Sequence, residues 1–478
     1  MKLLLMLLLS TVFLTAQTEQ EDITKQAIVK IYTTAKIPNY LSPWTSSMRS
    51  GTGSGAIIEG GFILTNAHVV ANQAFLEVER YGQRKRYLAK VFAVSHQADL
   101  ALLKVEEKTF FSGIKPLIFG TLPEVEQKIV VYGYPMGGST LSATIGVISR
   151  VEHHTYAHSG ETFLAVQVDA AVNPGNSGGP ALSDGKIVGV VMQVISKSQN
   201  IGYLVPASMV QHFITDMKDG QYDGFGELGI GTQKLENPAM RRYYGLDDNI
   251  SGKLIDKIVY NSSLKGIIQE GDILTAIDGY NIENDGTVAF RKHEYTDYNY
   301  YVDTYQMGES LNLDIIRDKK PMQVKATLQN RADDMFLVKT TRYDRMPTYF
   351  IYGGYIFSPL TRNLIRATNR NRMKLSNLAM QWQKEEKTEA VVLLKVLASE
   401  ISRGDNNFGM WAIDKVNGES FKDFKEFYQK MEAIKDDYIV LEDKNGVKVI
   451  IDKKEAQAKQ SEILKKYNIE YGKSIDLR

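Results

Sequence analysis

Between Ala27 and Val205 the chain is cut into short apolar runs, and this punctuation limits the folds open to it more than any other feature. The runs are Ala27–Tyr32, Gly55–Ile58, Gly61–Thr65, Phe75–Val78, Ala101–Val105, Lys128–Tyr132, Leu141–Ile148, Phe163–Val168, Ile187–Gln193 and Gly202–Val205, with Gly, Asn, Asp and Pro between them. Val, Ile, Leu and aromatic residues dominate the runs, and such residues fit a pleated, half-buried surface. The region is expected to form a β-barrel or sandwich rather than an α/β fold. Pro206–Met217 then reads as a helix, with Met209, Val210, Phe213, Ile214 and Met217 on its apolar side.

Lys218–Gly226 is rich in Gly and Asp and reads as a linker. Strands resume from Glu227 to Gln329. Beyond them, helical patterns at Ser376–Lys387, Phe421–Ile434 and Ala456–Tyr467 alternate with strand patterns at Val391–Leu397, Gly409–Val416, Tyr438–Leu441 and Val447–Ile451, a mixed α+β region. A chain of 478 residues exceeds one ordinary core. The expected division is a leader at 1–16, domains at 17–217, 227–330 and 331–478, and the linker at 218–226.

Formal net charge is +1, so no strong field favours nucleic acid or an anionic membrane as partner. The absence of cysteine excludes disulfides, a thiol nucleophile and Cys-ligated metal or iron–sulfur sites, and no cofactor is expected. At the N-terminus Lys2 precedes an apolar run from Leu3 to Leu14, interrupted by Ser10 and Thr11 and followed by Thr15-Ala16-Gln17. This is the pattern of a secretory signal cleaved after Ala16. The run is short for ~30 Å of hydrocarbon, so no stable membrane anchor is expected after cleavage. The expected destination is outside the cytoplasm, with the periplasm first.

Three motifs carry chemistry. Thr65-Asn66-Ala67-His68-Val69-Val70 follows an apolar strand, Asp99-Leu100-Ala101-Leu102 opens another, and Asn173-Pro174-Gly175-Asn176-Ser177-Gly178-Gly179-Pro180 is a Gly-rich turn between strands. A serine hydroxyl is a poor nucleophile until a base takes its proton. An imidazole can accept that proton near neutrality and return it to a leaving amine. A carboxylate on the other ring nitrogen fixes the tautomer and stabilises the imidazolium. Ser177, His68 and Asp99 are assigned these roles. Gly175 permits a backbone that aims its own N–H, with that of Ser177, at one oxyanion position. The rival reading is the nucleophile elbow of α/β-hydrolases, because Gly175-Asn176-Ser177-Gly178-Gly179 fits G-x-S-x-G. That elbow needs a helix after the serine and the order Ser, acid, His. Here a strand follows, and the order is His, Asp, Ser.

Glu152-His153-His154-Thr155-Tyr156-Ala157-His158 is a candidate metal site by composition, but Gly160 and the polar surroundings read as a mobile loop and no metal is assigned. His96 is read as an exposed loop residue, Asp169 as structural, and His293-Glu294 as part of a solvated face.

These motifs resemble the HtrA/Deg serine proteases. Gly53-Ser54-Gly55, Tyr132-Gly133-Tyr134-Pro135 and Asn200-Ile201-Gly202-Tyr203-Leu204-Val205-Pro206 extend the likeness through most of the first domain. Glu227-Leu228-Gly229-Ile230 and the stretch Glu270–Gly279 resemble a PDZ domain. Tyr349-Phe350-Ile351 with Gly353, Gly354 and Phe357 is similar to the divergent second PDZ domain of plant-type Deg proteases. The resemblance implies a mainly β protein: a chymotrypsin-like double β-barrel, a PDZ domain and a divergent PDZ-like α+β domain. It implies an ATP-independent serine endopeptidase degrading unfolded or misfolded exported polypeptides. The alternative class is a peptide-binding chaperone or assembly scaffold with a latent protease domain. The resemblance further implies a specificity pocket at Val172, Val194 and Ile201, a substrate-pairing strand at Val191, Met192 and Gln193, and peptide C-termini bound at Leu228, Gly229 and Ile230. It places a ligand-sensing loop at the His153–Gly160 stretch and implies a homo-oligomer, a trimer or a multiple of trimers.

Overall fold

The computed structural model describes residues 23–135, 138, 140–194 and 201–478. The expected signal segment therefore lies outside the described residues.

The apolar runs become two closed six-stranded barrels. The first contains β1 (Ile28–Pro38), β2 (Ser46–Ile58), β3 (Phe62–Thr65), β4 (Gln73–Arg80), β5 (Arg86–Ser95) and β6 (Leu100–Val105), in the order β1-β2-β3-β6-β5-β4. The second contains β7 (Lys128–Gly133), β8 (Ser142–Thr155), β9 (Thr162–Asp169), β10 (Pro180–Ser183), β11 (Lys186–Val194) and β12 (Gly202–Pro206), in the order β10-β11-β12-β9-β8-β7. Ile28, Ile31, Ile57, Ile63, Leu100 and Leu103 are buried within the first, and Ile129, Ile148, Val166, Val168 and Leu204 within the second. Each such aliphatic side chain contributes about 1.5–3 kcal/mol by leaving water.

Two strands, β5 and β10, were not expected from the sequence. β5 carries charged and aromatic residues on its outer face, with Lys90 and Phe92 exposed, which hides the alternation. β10 has four residues and begins with proline. The second barrel also corrects the loop expected at Glu152–His158. β8 runs on to Thr155, after a bulge between Ile148 and Arg150, so Glu152, His153, His154 and Thr155 pair with Ala165, Leu164, Phe163 and Thr162. Only the tip from Tyr156 to Glu161 turns, and Tyr156 is fully buried with its hydroxyl donating to the Leu164 carbonyl at 2.5 Å.

The helix Ala207–Asp216 follows β12. Lys218–Gly226 then proves not to be a free linker. A short 3₁₀ turn at Met217–Asp219 ends at Gly220, after which Phe225 is buried in the barrel core. Tyr222 packs partly buried against the same cluster.

Chain contacts divide the molecule into two units. One holds the described residues up to Lys36, those of Met48–Phe225, and Gly286–Gln306; the other holds Ile37–Ser47, Gly226–Asp285 and Met307–Arg478. The segment 286–306, expected within the PDZ domain, thus groups with the barrels. It forms a hairpin followed by a short helix, Asn299–Val302, and includes His293-Glu294. In the second unit β13 (Ile230–Lys234), β14 (Lys253–Ile258) and β15 (Ile273–Ile277) join two later strands, Ser310–Arg317 and Lys320–Thr327, in one sheet with β13 at its edge. The C-terminal region has two four-stranded sheets with the helices Phe424–Ala433 and Lys453–Lys466. The helix expected at Ser376–Lys387 occupies Arg372–Ala379 instead.

Candidate active site

His68 stands on a four-residue helix, Ala67–Val70, directly after β3, and Asp99 immediately precedes β6. Since β3 and β6 pair side by side, the two residues meet. His68 Nδ1 and Asp99 Oδ2 are 2.8 Å apart, and the His68 backbone N–H donates to Asp99 Oδ1 at 2.9 Å. Asn66 Nδ2 donates to the Asp99 carbonyl at 2.8 Å. Asp99 is 1% exposed and has φ 54°, a left-handed conformation that aspartate adopts more readily than most residues. Burial opposes its charge, but the adjacent imidazole and its hydrogen bonds prevail and hold the carboxyl below the ordinary value. Burial likewise disfavours a charged His68, yet Asp99 prevails and raises its pKa above 6.5. The His68 side chain is one-third exposed (33%), so it remains accessible to a substrate.

Ser177 lies between β9 and β10 in the second barrel. Its Oγ is 3.5 Å from the Met192 carbonyl, and among the described residues no hydrogen bond joins it to His68. The turn around it is fixed by the first barrel. The Ser54 amide donates to the Ser177 carbonyl at 2.9 Å, and the Ser54 hydroxyl donates to the Gly175 carbonyl at 2.7 Å while accepting from the Tyr134 amide at 2.8 Å. At Gly178 (φ 83°) a Cβ would lie 2.1 Å from Thr65 Oγ1 and 2.2 Å from the Ser54 carbonyl oxygen, so only glycine fits. Gly175 has φ 102°, and among the described residues neither its amide nor that of Ser177 donates to a protein acceptor. Both amides therefore have their donor capacity to offer an oxyanion. Ser54 and Thr65 carry this geometry, and neither is marked for that role by the local sequence.

Of the expected substrate strand, Val191 is already engaged: its carbonyl accepts from Gly178 N and its amide donates to the Gly179 carbonyl, both at 2.9 Å. β10 pairs with β11 only as far as Val190, and a bulge follows between Val191 and Gln193. From Met192 the side of β11 beside Ser177 carries no further strand among the described residues. In the expected pocket, Val172 is buried against Gly202, whose backbone pairs with Val194. Ile201 is half-buried. The side chains of Gln193 and Val194 lie outside what is described.

The three histidines of the β8–β9 stretch point to separate partners. His153 Nδ1 lies 2.8 Å from Thr296 Oγ1, and its Nε2 lies 3.2 Å from Asp303 Oδ2, both in the 286–306 segment. His154 stacks on Tyr203 with ring centroids 4.0 Å apart. His158 turns toward His68, 6.2 Å between centroids, and its Nε2 is 2.9 Å from His96 Nδ1. His96 is thus half-buried beside the site and not the exposed loop residue expected.

In the second unit Leu228 and Ile230 are buried on either side of Gly229, which has φ 68°. Ser262 Oγ donates to the Leu228 carbonyl and Val259 N to the Gly229 carbonyl, each at 3.0 Å. The outer edge of β13 carries no strand among the described residues, an arrangement open to an added peptide strand.

Residues 53–190 match the family described as a trypsin-like peptidase domain, and residues 338–476 match that described as a PDZ domain. The chain is similar to Protease Do-like 4, mitochondrial, of Arabidopsis thaliana, with 35% identity over 95% of this chain and 86% of that one. It is similar to Protease Do-like 2, chloroplastic, of the same plant, with 35% identity over 94% of this chain and 75% of that one. Among solved structures, the HtrA-type protease AlgW with tripeptide aligns with a TM-score of 0.52 and 24% identity, covering 66% of this chain and 97% of that one, a likeness of fold.

Proposed function

The chain belongs to the HtrA/Deg family of serine endopeptidases, and from that premise we propose that His68, Asp99 and Ser177 are its base, acid and nucleophile. The observation that carries this is the 2.8 Å pairing of His68 Nδ1 with a buried Asp99, which leaves Nε2 for the serine proton. Ser177 Oγ attacks the scissile carbonyl as His68 takes its proton, and the Gly175 and Ser177 amides receive the oxyanion. His68 then protonates the leaving amine, and water hydrolyses the acyl-enzyme by the same steps in reverse order.

The substrates are unfolded or misfolded exported polypeptides, and cleavage needs no ATP. An extended segment can add to β11 from Met192 onward; a folded one cannot. The apolar residues Val172, Val194 and Ile201 favour cleavage after Val, Ala or Ile, and mapping casein fragments by mass spectrometry tests this: a majority of cuts after Lys or Arg would sink it. Peptide C-termini bind at Leu228-Gly229-Ile230. Export rests on the Leu3–Leu14 run, and a mature protein beginning at Gln17 is the expected product. The working form is a homo-oligomer built on trimers, to be read from its mass in solution.

A peptide-binding scaffold with a latent protease is the second reading, favoured by the open Ser177–His68 contact. Casein digestion separates the two. The wild type should degrade casein, and Ser177→Ala should lose about 10⁶-fold in turnover. Equal digestion by the variant, or none by either protein, would overturn the assignment.

A further inference from the structure

The turn that carries Asp99 is held from outside by two segments far away in sequence, and Gln97 is their junction. Its amide nitrogen donates to Glu161 Oε2 at 2.9 Å, at the tip between β8 and β9. Its side-chain oxygen accepts from the Tyr222 hydroxyl at 3.2 Å and from the Phe225 backbone amide at 3.2 Å. The Tyr222 hydroxyl also lies 2.5 Å from Ser95 Oγ, which in turn accepts from the Ala98 amide at 3.1 Å. Residues 95–98 are therefore tied to residues 222–225 through the side chains of Ser95, Gln97 and Tyr222.

The segment on the other side is itself anchored. Asp216 accepts from the Asp223 amide at 3.2 Å and the Gly224 amide at 2.9 Å. Phe225 is buried between His212 and Phe163, with ring centroids 4.2 and 4.9 Å away. Gly224 has φ 87°, a conformation that favours glycine, and a Cβ there would lie 2.3 Å from Gln97 Oε1 and displace that side chain. Asp99, two residues beyond Gln97, sits at φ 54°, a sparsely populated conformation that persists only when its surroundings impose it.

We propose that Gln97 is a positioning residue for the catalytic acid, through which the Tyr222–Phe225 segment sets the aim of the Asp99 carboxylate at His68. This rests on the triad reading above. It goes beyond that reading by giving the stretch where the chain leaves the barrels a hold on the acid, separate from any hold on the nucleophile.

The test uses the full chain with Gln97→Ala, Tyr222→Phe and the double variant, assayed on a peptide substrate across pH, with near-ultraviolet circular dichroism to establish folding. Misaiming a catalytic group by about 1 Å can cost about 100-fold, so a 10- to 100-fold fall in kcat is expected with KM little changed. The acidic limb of the rate profile should move to lower pH, because His68 loses part of the support from Asp99. The two substitutions should be non-additive, since they break one network. If Gln97→Ala does not fold, Tyr222→Phe, which deletes a single hydroxyl, decides the matter. A folded variant with unchanged kcat and an unmoved acidic limb would overturn the proposal. Asp99→Asn, run alongside, separates the two layers: an unmoved limb there sinks the triad reading, whereas a limb moved by Asp99→Asn but by neither Gln97→Ala nor Tyr222→Phe sinks only the positioning role.

Discussion

His68 and Asp99 come from the first barrel and Ser177 from the second, and the two halves of the site are held differently. The acid and base share two hydrogen bonds of 2.8 and 2.9 Å, and Asn66 pins the Asp99 backbone as well. The serine hydroxyl has a single contact at the 3.5 Å limit, and the turn that carries it is shaped mainly by Ser54 and Thr65 of the opposite barrel. The acid and base are thus joined directly by hydrogen bonds within one barrel, whereas the nucleophile turn depends on how the barrels meet. Catalytic hydrogen bonds that are long without substrate commonly tighten in the working complex.

Three changes break or sharpen this contrast. The largest effect belongs to Asp99→Asn, which attacks the preset half. The wrong imidazole tautomer should lower turnover by about 10⁴-fold with substrate binding nearly unchanged, as measured by kcat and KM on a chromogenic peptide. Next is Ser54→Ala, which attacks the borrowed support of the other half. It strips the Gly175 carbonyl and the Tyr134 amide of a buried partner, at about 1–3 kcal/mol for each group left unsatisfied, and the melting temperature should fall. Turnover should fall about 10- to 100-fold as the oxyanion turn loosens. If stability drops and turnover does not, the turn holds its catalytic shape without the first barrel. The smallest effect is in the pH profile of the wild type. With His68 as the proposed base its neutral form is the active one, so kcat/KM should decline as acid protonates it, with the midpoint above 6.5 because Asp99 raises the folded-state pKa. A midpoint at or below 6.5 would mean the pair is weaker in solution than its geometry implies.

The same contrast governs what was legible in the sequence. His68, Asp99 and the Ser177 turn were readable because each motif is local: a residue at a strand edge, or glycines whose φ values the turn demands. β10 was not readable, since four residues beginning with proline leave no periodicity to detect. His96 was misread because its burial is supplied by His158, more than sixty residues later. The stretch Glu152–Thr155 reads as a loop because its polar residues find distant partners, Thr296 and Asp303 for His153 and Tyr203 for His154, which no local pattern announces. Lys218–Gly226 has linker composition, yet Phe225 finds a buried site between His212 and Phe163. In these last three cases tertiary contact overrode local propensity.

The grouping of residues 286–306 with the barrels bears on how this enzyme can be dissected. The hairpin and the short helix after it place Phe290 and Tyr300 against the second barrel's core, and Arg291 donates to the carbonyls of Leu122 and Pro123 at 2.8 Å. A chain ended near Lys218 would lose these residues together with Tyr222 and Phe225. It would bare the apolar surface that Phe290 and Tyr300 cover and leave His153 without Thr296 and Asp303. Such a fragment lacks contacts that belong to the barrel unit itself. Any activity lost on truncation would first have to be credited to missing masonry, and a cleaner excision would retain the hairpin as a grafted loop.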